Sequence, residues 1–81
     1  MSPTVFRSGK YRFYFNSREE DRMHVHVQSS DGEAKYWLEP IVALENAVGF
    51  RTSELRLLQG LVEEHCHAIA RSWKEHFKSQ R

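Results

Sequence analysis

The chain has 81 residues, which is enough for one small domain and too few for two. Its 12 Lys and Arg residues nearly balance 11 Asp and Glu residues, for a net charge of +1, and 40% of its residues are hydrophobic. This composition is typical of a globular domain and excludes a disordered chain.

Cysteine content and hydropathy indicate the compartment. The single cysteine, Cys66, excludes an internal disulfide framework and fits a reducing environment. No apolar run reaches the roughly 18–20 residues that a membrane span needs. We therefore expect one cytoplasmic domain over residues 1–81, with no membrane partner.

The first two strand segments predict an antiparallel hairpin. Residues 4–8 and 11–16 are rich in β-branched and aromatic residues, and Gly9 with Lys10 separates them. A two-residue connection with glycine first is typical of a type II′ turn. Residues 17–22 then hold five charges in six positions, which predicts a solvated loop.

Two further segments alternate between two kinds of side chain, as strands do. In residues 23–28 the apolar Met23, Val25 and Val27 alternate with polar residues, and residues 33–38 alternate in the same way. A turn is expected between them, over residues 29–32. Residues 41–47 fit either a fifth short strand or a helical turn, and we favour the strand.

The rest of the chain predicts one long helix over about residues 53–78, with Thr52 or Ser53 as its N-cap. Its apolar side chains recur at steps of three and four: Leu55, Leu58, Val62, Cys66, Ile69, Trp73 and Phe77. The predicted fold is therefore a two-layer α+β domain, with a four- or five-stranded, mainly antiparallel sheet followed by one helix.

The predicted helix is longer than the sheet that it covers. About 26 helical residues span about 39 Å, whereas a six-residue strand spans about 20 Å. Either the helix bends near Gly60, or Ile69, Trp73 and Phe77 extend beyond the sheet as a partner interface. The second alternative predicts a homodimer, or a small protein partner bound through the C-terminal helix.

One helix leaves the second face of the sheet open. By strand alternation that face carries cationic and aromatic side chains: Arg12, Tyr14, His24, His26, Lys35 and Trp37. Such a set can bind nucleic acid through phosphate contacts and base stacking. Alternatively, His24 and His26 could act as acid and base of a metal-independent ribonuclease, with Arg12 or Lys35 stabilising the phosphate.

Metal and cofactor chemistry find little support in the sequence. His24 and His26 have no obvious third ligand for zinc. On a helix His65 and His67 point in different directions, and Cys66 lies on the apolar stripe as a core residue. The four glycines form no phosphate-binding loop. We predict neither a metal nor a cofactor.

Several segments together resemble one protein family. They are residues 3–7 with Gly9, then 11–15, 24–27, 32–40, 49–50 and 54–55. Their combination is similar to small bacterial proteins known as domain of unknown function four-one-six-zero, although Arg22-Met23 replaces the family's usual Pro-rich approach to the histidines. The resemblance implies a free-standing domain, often encoded beside another small domain in pairs suspected of toxin–antitoxin roles. It implies no catalytic residues.

These observations favour a binding or regulatory domain over an enzyme. Our leading hypothesis is one component of a two-gene cassette of toxin–antitoxin type that binds a protein partner through its helix. Nucleic-acid binding through the open sheet face is the second hypothesis, and the ribonuclease is the third.

Overall fold

The computed structural model describes residues 4–15 and 22–78. Five strands form one antiparallel sheet in the order β1-β2-β3-β4-β5, and two helices follow. The elements are β1 (Thr4–Ser8), β2 (Tyr11–Tyr14), β3 (His24–Gln28), β4 (Glu33–Trp37), β5 (Ala43–Val48), α1 (Thr52–Glu64) and α2 (Cys66–Lys78). The α+β class and the fifth strand are confirmed. Of the predicted solvated loop, only Arg22 lies within the described residues.

Tight turns set the register of the hairpins. Ser8 pairs with Tyr11, and Gly9 between them has a positive φ of 58°, as a type II′ turn with glycine first requires. Gln28 pairs with Glu33 across the next turn, where the Ser29 N–H donates to the Gly32 carbonyl over 3.0 Å. Both turns lie at the same end of the sheet, since neighbouring strands run antiparallel.

The core lies between one face of the sheet and the two helices. The residues that are completely buried there are Phe13, Val25, Val27, Tyr36, Leu58, Val62 and Ile69. The Tyr36 hydroxyl also donates to the Leu55 carbonyl over 2.8 Å, so that β4 is tied to α1. The apolar side chains that alternate along the strands thus pack against those that recur with helical spacing in the last third of the chain.

The prediction of a single long helix is wrong. His65, with φ −104° and ψ 12°, separates α1 from α2. Of the two alternatives, the bend near Gly60 is wrong in position, because Gly60 lies inside α1 and the break comes at His65. The ring of His65 packs on Phe6 of β1 with centroids 4.7 Å apart, so contact with the sheet accompanies the break. No helix of the described part of the chain is long and apolar enough to cross a membrane.

The expected overhang of the C-terminal apolar stripe is also wrong. Ile69 is completely buried, Trp73 is only 8% exposed, and Phe77 is half-buried against the core. Phe15 packs edge-on against Trp73 with ring centroids 5.3 Å apart. Because the chain breaks at His65, α2 packs on the sheet. The side chains proposed as a partner interface therefore pack against the core of the domain itself.

The start of α1 differs slightly from the prediction. Arg51, rather than Thr52 or Ser53, is the N-cap residue. Glu54 accepts a hydrogen bond from the Arg51 backbone N–H over 3.2 Å, which satisfies one amide before the first turn of the helix. Glu54 lies in the first turn of α1, where the helix dipole favours a carboxylate.

Candidate functional site

The helices cover one face of the sheet, and we call the opposite face the outer face. Cross-strand pairing sets Tyr14 opposite His26 and His26 opposite Lys35, so that three strands contribute to one row. His24 stands opposite Trp37 in the next row. Together with Arg12, whose guanidinium lies against Tyr14, these residues form one contiguous group. We call the group of six the outer-face cluster.

Rings and cations alternate within the outer-face cluster. The rings of Tyr14 and His26 stack with centroids 5.3 Å apart and planes 24° from parallel. The Arg12 guanidinium carbon lies 4.6 Å from the Tyr14 ring centroid, and the Lys35 Nζ lies 4.5 Å from that of Trp37. These distances are those of cation–π pairs, which hold long basic side chains in defined positions.

Hydrogen bonds hold Arg12 in place. Its Nε donates to Thr4 Oγ1 over 2.7 Å, and its Nη1 donates to Gln28 Oε1 over 3.3 Å. The guanidinium is thus fixed by three neighbouring strands while its plane lies over Tyr14. A side chain positioned in this way loses less entropy when it binds a ligand than a freely rotating one does.

Arg22 belongs to the same surface, although the sequence predicts it to lie in a solvated loop. Its guanidinium carbon lies 4.1 Å from the Trp37 ring centroid, and its Nε donates to the Glu39 carbonyl over 3.0 Å. The Leu38 N–H also donates to the Met23 carbonyl over 3.0 Å, so chain pairing continues beyond the ends of β3 and β4. Extending the alternation of residues 23–28 back by one residue would have placed Arg22 on the same face as His24 and His26.

The two histidines of β3 have different surroundings. His24 is completely buried, and its ring lies 5.0 Å from that of Trp73 and 5.6 Å from that of Trp37. Its Nδ1 lies 2.8 Å from the Arg22 carbonyl, which can only accept, so Nδ1 carries a proton. His26 is half-exposed beside Tyr14. His24 therefore supports the outer face from within, and His26 is the histidine that a ligand can reach.

The outer face is not uniformly basic. A shallow depression of about 150 Å³ lies between Tyr14, His26 and Lys35 on one side and β5 on the other. Glu33 and Glu45 line it together with Asn46. Cations thus lie on β2 (Arg12), just before β3 (Arg22) and in the middle of β4 (Lys35), and carboxylates lie toward β5.

A second polar group joins the sheet to the start of α1. Tyr11 donates to Glu54 over 2.7 Å, and this hydrogen bond, with that from the Arg51 N–H, lowers the pKa of the Glu54 carboxyl. The same bond, with burial, raises the pKa of Tyr11. Lys10 lies 2.6 Å from Asp31 and 3.6 Å from Glu54. Each group has a partner within the network, which indicates a structural role.

The helical residues considered for metal binding are dispersed. Cys66 is half-buried where α2 begins, and His65 lies 3.3 Å from the Glu64 carboxylate and against Phe6. Over residues 4–15 and 22–78 no group of three or more His, Cys, Asp or Glu side chains is arranged to hold a metal ion.

The fold and this surface define a small α+β domain in which the helices pack on one sheet face and the other carries the outer-face cluster, with His24 and Tyr14 buried in it. The model of the family described as domain of unknown function (DUF4160) matches residues 10–74. The chain belongs to that family, and the resemblance noted in the sequence is confirmed. No curated protein and no solved structure matches the chain significantly.

Proposed function

We propose that the chain binds single-stranded nucleic acid through its outer face. The observation that carries this proposal is the set of cation–ring pairs in which Arg12 lies over Tyr14 and both Lys35 and Arg22 lie over Trp37. Sheet faces that present aromatic rings and basic side chains are a recurrent means of binding unpaired bases together with their phosphates.

Each side chain has a chemical role in this proposal. The guanidinium planes of Arg12 and Arg22 provide flat surfaces on which an unpaired base can stack. These two groups and Lys35 attract phosphate oxygens. His26 offers a ring nitrogen as a hydrogen-bond partner. A single strand is favoured over a duplex because only unstacked bases can reach these planes.

The arrangement supports binding rather than cleavage. A ribonuclease with two histidines needs both rings within hydrogen-bond reach of the substrate. His24 is completely buried between Trp37 and Trp73, with its Nδ1 hydrogen directed at the Arg22 carbonyl. The proposal therefore includes no catalytic role for His24, and labelled RNA should stay intact in the bound state.

Fluorescence anisotropy with labelled single-stranded RNA and duplex DNA at two salt concentrations tests the proposal. We expect salt-sensitive binding that favours the single strand. Trp37→Ala removes the ring that positions Arg22 and Lys35, and Lys35→Gln removes a phosphate contact. Each should weaken RNA binding by about tenfold, which corresponds to roughly 1.4 kcal/mol. Lys74→Gln removes the same charge from an exposed position of α2 and should leave the affinity unchanged.

Two results would contradict this proposal. One is the absence of RNA binding at low salt, where phosphate contacts are strongest. The other is an equal loss of affinity in Lys35→Gln and Lys74→Gln, since binding would then depend on net charge rather than on the outer face. A gel of each probe after incubation separately tests for cleavage.

Association with a second copy of the chain is a second proposal, and exposed apolar side chains near the β5 edge favour it. Ile41, which precedes β5, is 71% exposed, and Val48 and Leu44 of the edge strand β5 are exposed as well. The β4–β5 register shifts around Glu45, and Asn46 Oδ1 accepts from the Ala47 N–H, which blunts the edge for backbone pairing. Side-chain contacts would therefore carry the association.

Light scattering over a range of protein concentrations tests the second proposal. A dimer should form as the concentration rises, and Val48→Ser should shift the midpoint to higher concentration. Ala68→Ser, at an exposed position of α2, is the control. A monomer at all concentrations would contradict association with a second copy. The cassette role implied by the family resemblance stays a prediction.

A further inference from the structure

A basic cavity lies at the end of the sheet where the two hairpin turns meet. Arg12 of β2 pairs with Gln28 of β3, which brings the turn after β3 next to the turn between β1 and β2. The cavity is a wide depression of about 350 Å³, open to solvent rather than enclosed. Its lining consists of Arg7, Lys10, Arg12, Gln28, Ser29 and Ser30.

Charge distinguishes this cavity from the depression near β5. Three of the lining side chains are cationic, and the lining contains no carboxylate. The adjacent Asp31 lies 2.6 Å from the Lys10 ammonium. A group entering the cavity thus meets the charges of Arg7 and Arg12, whereas Asp31 and Glu54 largely neutralise the charge of Lys10. This environment favours an anion.

The neutral side chains of the lining add hydrogen-bond donors. Ser29 Oγ accepts from the Asp31 backbone N–H over 3.1 Å, so its hydroxyl hydrogen can be directed to a ligand. Ser30 is exposed at the rim. Two hydroxyl groups beside three cations suit a group with several oxygen acceptors, as a phosphate is.

Arg12 connects the cavity to the outer-face cluster. Its guanidinium lines the cavity and also lies over Tyr14, 4.6 Å from the ring centroid. A single strand of nucleic acid bound on the outer face would therefore reach the cavity at one end of the sheet. A terminal phosphate carries a charge of about −1.5 to −2 at neutral pH, more than the single charge of an internal phosphate, and so matches several cations better.

We infer that this cavity binds the terminal phosphate of the single strand held on the outer face, an inference that rests on the proposed function. The chain then prefers RNA with a phosphorylated end over RNA of the same sequence with hydroxyl ends. Arg7 and Ser29 set this preference, while Trp37 and Lys35 contribute equally to the binding of both forms.

Anisotropy with one short RNA sequence, carrying a 5′-phosphate, a 3′-phosphate or hydroxyl groups at both ends, tests the inference. The wild type should bind one phosphorylated form about tenfold more tightly, the effect of one or two charge-assisted hydrogen bonds. Arg7→Gln should abolish the preference. Arg56→Gln removes an equal charge from an exposed position of α1 and should retain it. Trp37→Ala should weaken all three probes by the same factor.

The outcomes separate this inference from the proposed function. Equal affinity for all three RNA forms would overturn the terminal-phosphate site and leave outer-face binding standing. If no RNA binds, the outer-face proposal is overturned, and calorimetry with a nucleoside monophosphate then tests the phosphate site by itself. Binding of the monophosphate that Arg7→Gln abolishes would support the phosphate site. No binding of the monophosphate either would overturn both.

Discussion

His24 and His26 show how two residues of one strand acquire different roles. His24 is completely buried and packs against Trp73 of α2, whereas His26 is half-exposed and stacks on Tyr14. A buried ring contributes through packing and its internal hydrogen bond, and an accessible ring can contact a ligand. The two positions are therefore expected to respond differently to the same substitution.

We predict that His24→Ala destabilises the domain by about 2–3 kcal/mol, because it leaves a cavity and removes the hydrogen bond to the Arg22 carbonyl. His26→Ala should cost about 1 kcal/mol or less. Urea unfolding measures both values. Equal losses in the two variants would contradict the assignment of His24 as a supporting residue.

Tyr36 links stability to pH. Burial raises the pKa of its hydroxyl from 10.0 to about 12. Below pH 10 the hydroxyl is protonated in both the folded and the unfolded state. Between pH 10 and 12 the unfolded chain loses the proton first, so the free energy of unfolding falls as the pH rises.

We expect Tyr36→Phe to lose less stability than the wild type between pH 10 and 12, since it has no hydroxyl to ionise. At pH 7 the variant should be less stable by about 1 kcal/mol, because the hydrogen bond to the Leu55 carbonyl is gone. Chemical unfolding at several pH values provides the comparison. Parallel losses in both proteins would show that Tyr36 does not set the alkaline limit.

At the scale of elements, the last third of the chain is two helices rather than one. The break at His65 accompanies the packing of α2 on the sheet, where Ile69 and Trp73 enter the core. Gly60, the residue with the lowest helix propensity in α1, does not interrupt it. Tertiary burial, rather than local propensity, determines where this helix ends.

Trp73 tests whether α2 stabilises the domain itself. Trp73→Ala should lower the free energy of unfolding by about 3–4 kcal/mol, as expected for an aromatic side chain of the core. Lys74→Ala, at the exposed neighbouring position, should change it by less than about 0.5 kcal/mol. Thermal unfolding of both variants is the measurement. A stable Trp73→Ala protein would restore the side chain as a candidate anchor for a partner.

Gly60 and Gly49 form a matched pair for backbone effects. A Cβ at Gly60 meets nothing within 4 Å, so Gly60→Ala should stabilise α1 by about 0.5–1 kcal/mol. Gly49 has a φ of 87°, and a Cβ there collides with the Asp31 carbonyl. Gly49→Ala should therefore destabilise the domain by more than 1 kcal/mol, about the least that left-handed strain costs. Unfolding midpoints that move in the same direction would contradict this reasoning.

For the whole molecule, charge placement matters more than the net charge of +1. Cations line the basic cavity and the β2 side of the outer face, and carboxylates lie near β5 and at the start of α1. A small net charge is therefore compatible with a local site for polyanions. Its range is short, since the Debye length is about 8–10 Å at physiological salt.

We predict a slope of about −2 to −3 for the logarithm of the RNA association constant against the logarithm of salt concentration, because three or four cations contact phosphates at about 0.7 counterions each. Anisotropy titrations at several salt concentrations measure it. Lys35→Gln should make the slope shallower, and Arg56→Gln should not. A slope near zero would exclude phosphate contacts as a source of affinity.

Much of the fold could be predicted because its signals are local. Alternation in residues 23–28 and 33–38, together with the glycine turn at Gly9, indicates the hairpins and decides which side chains share a face. The composition of the outer-face cluster follows from that alternation alone. The family could also be recognised, because its segments are contiguous in the chain.

The remaining features depend on contacts between residues far apart in the chain. The burial of His24 needs Trp73, the helix break at His65 is seen together with Phe6, and Arg22 reaches Trp37 only after β3 and β4 pair. The periodicity of apolar residues along the sequence does not indicate such contacts. The sequence by itself determined the sheet, its faces and the family. Only the tertiary structure decided which histidine is accessible and that the C-terminal stripe is core, because burial is a property of the packed chain.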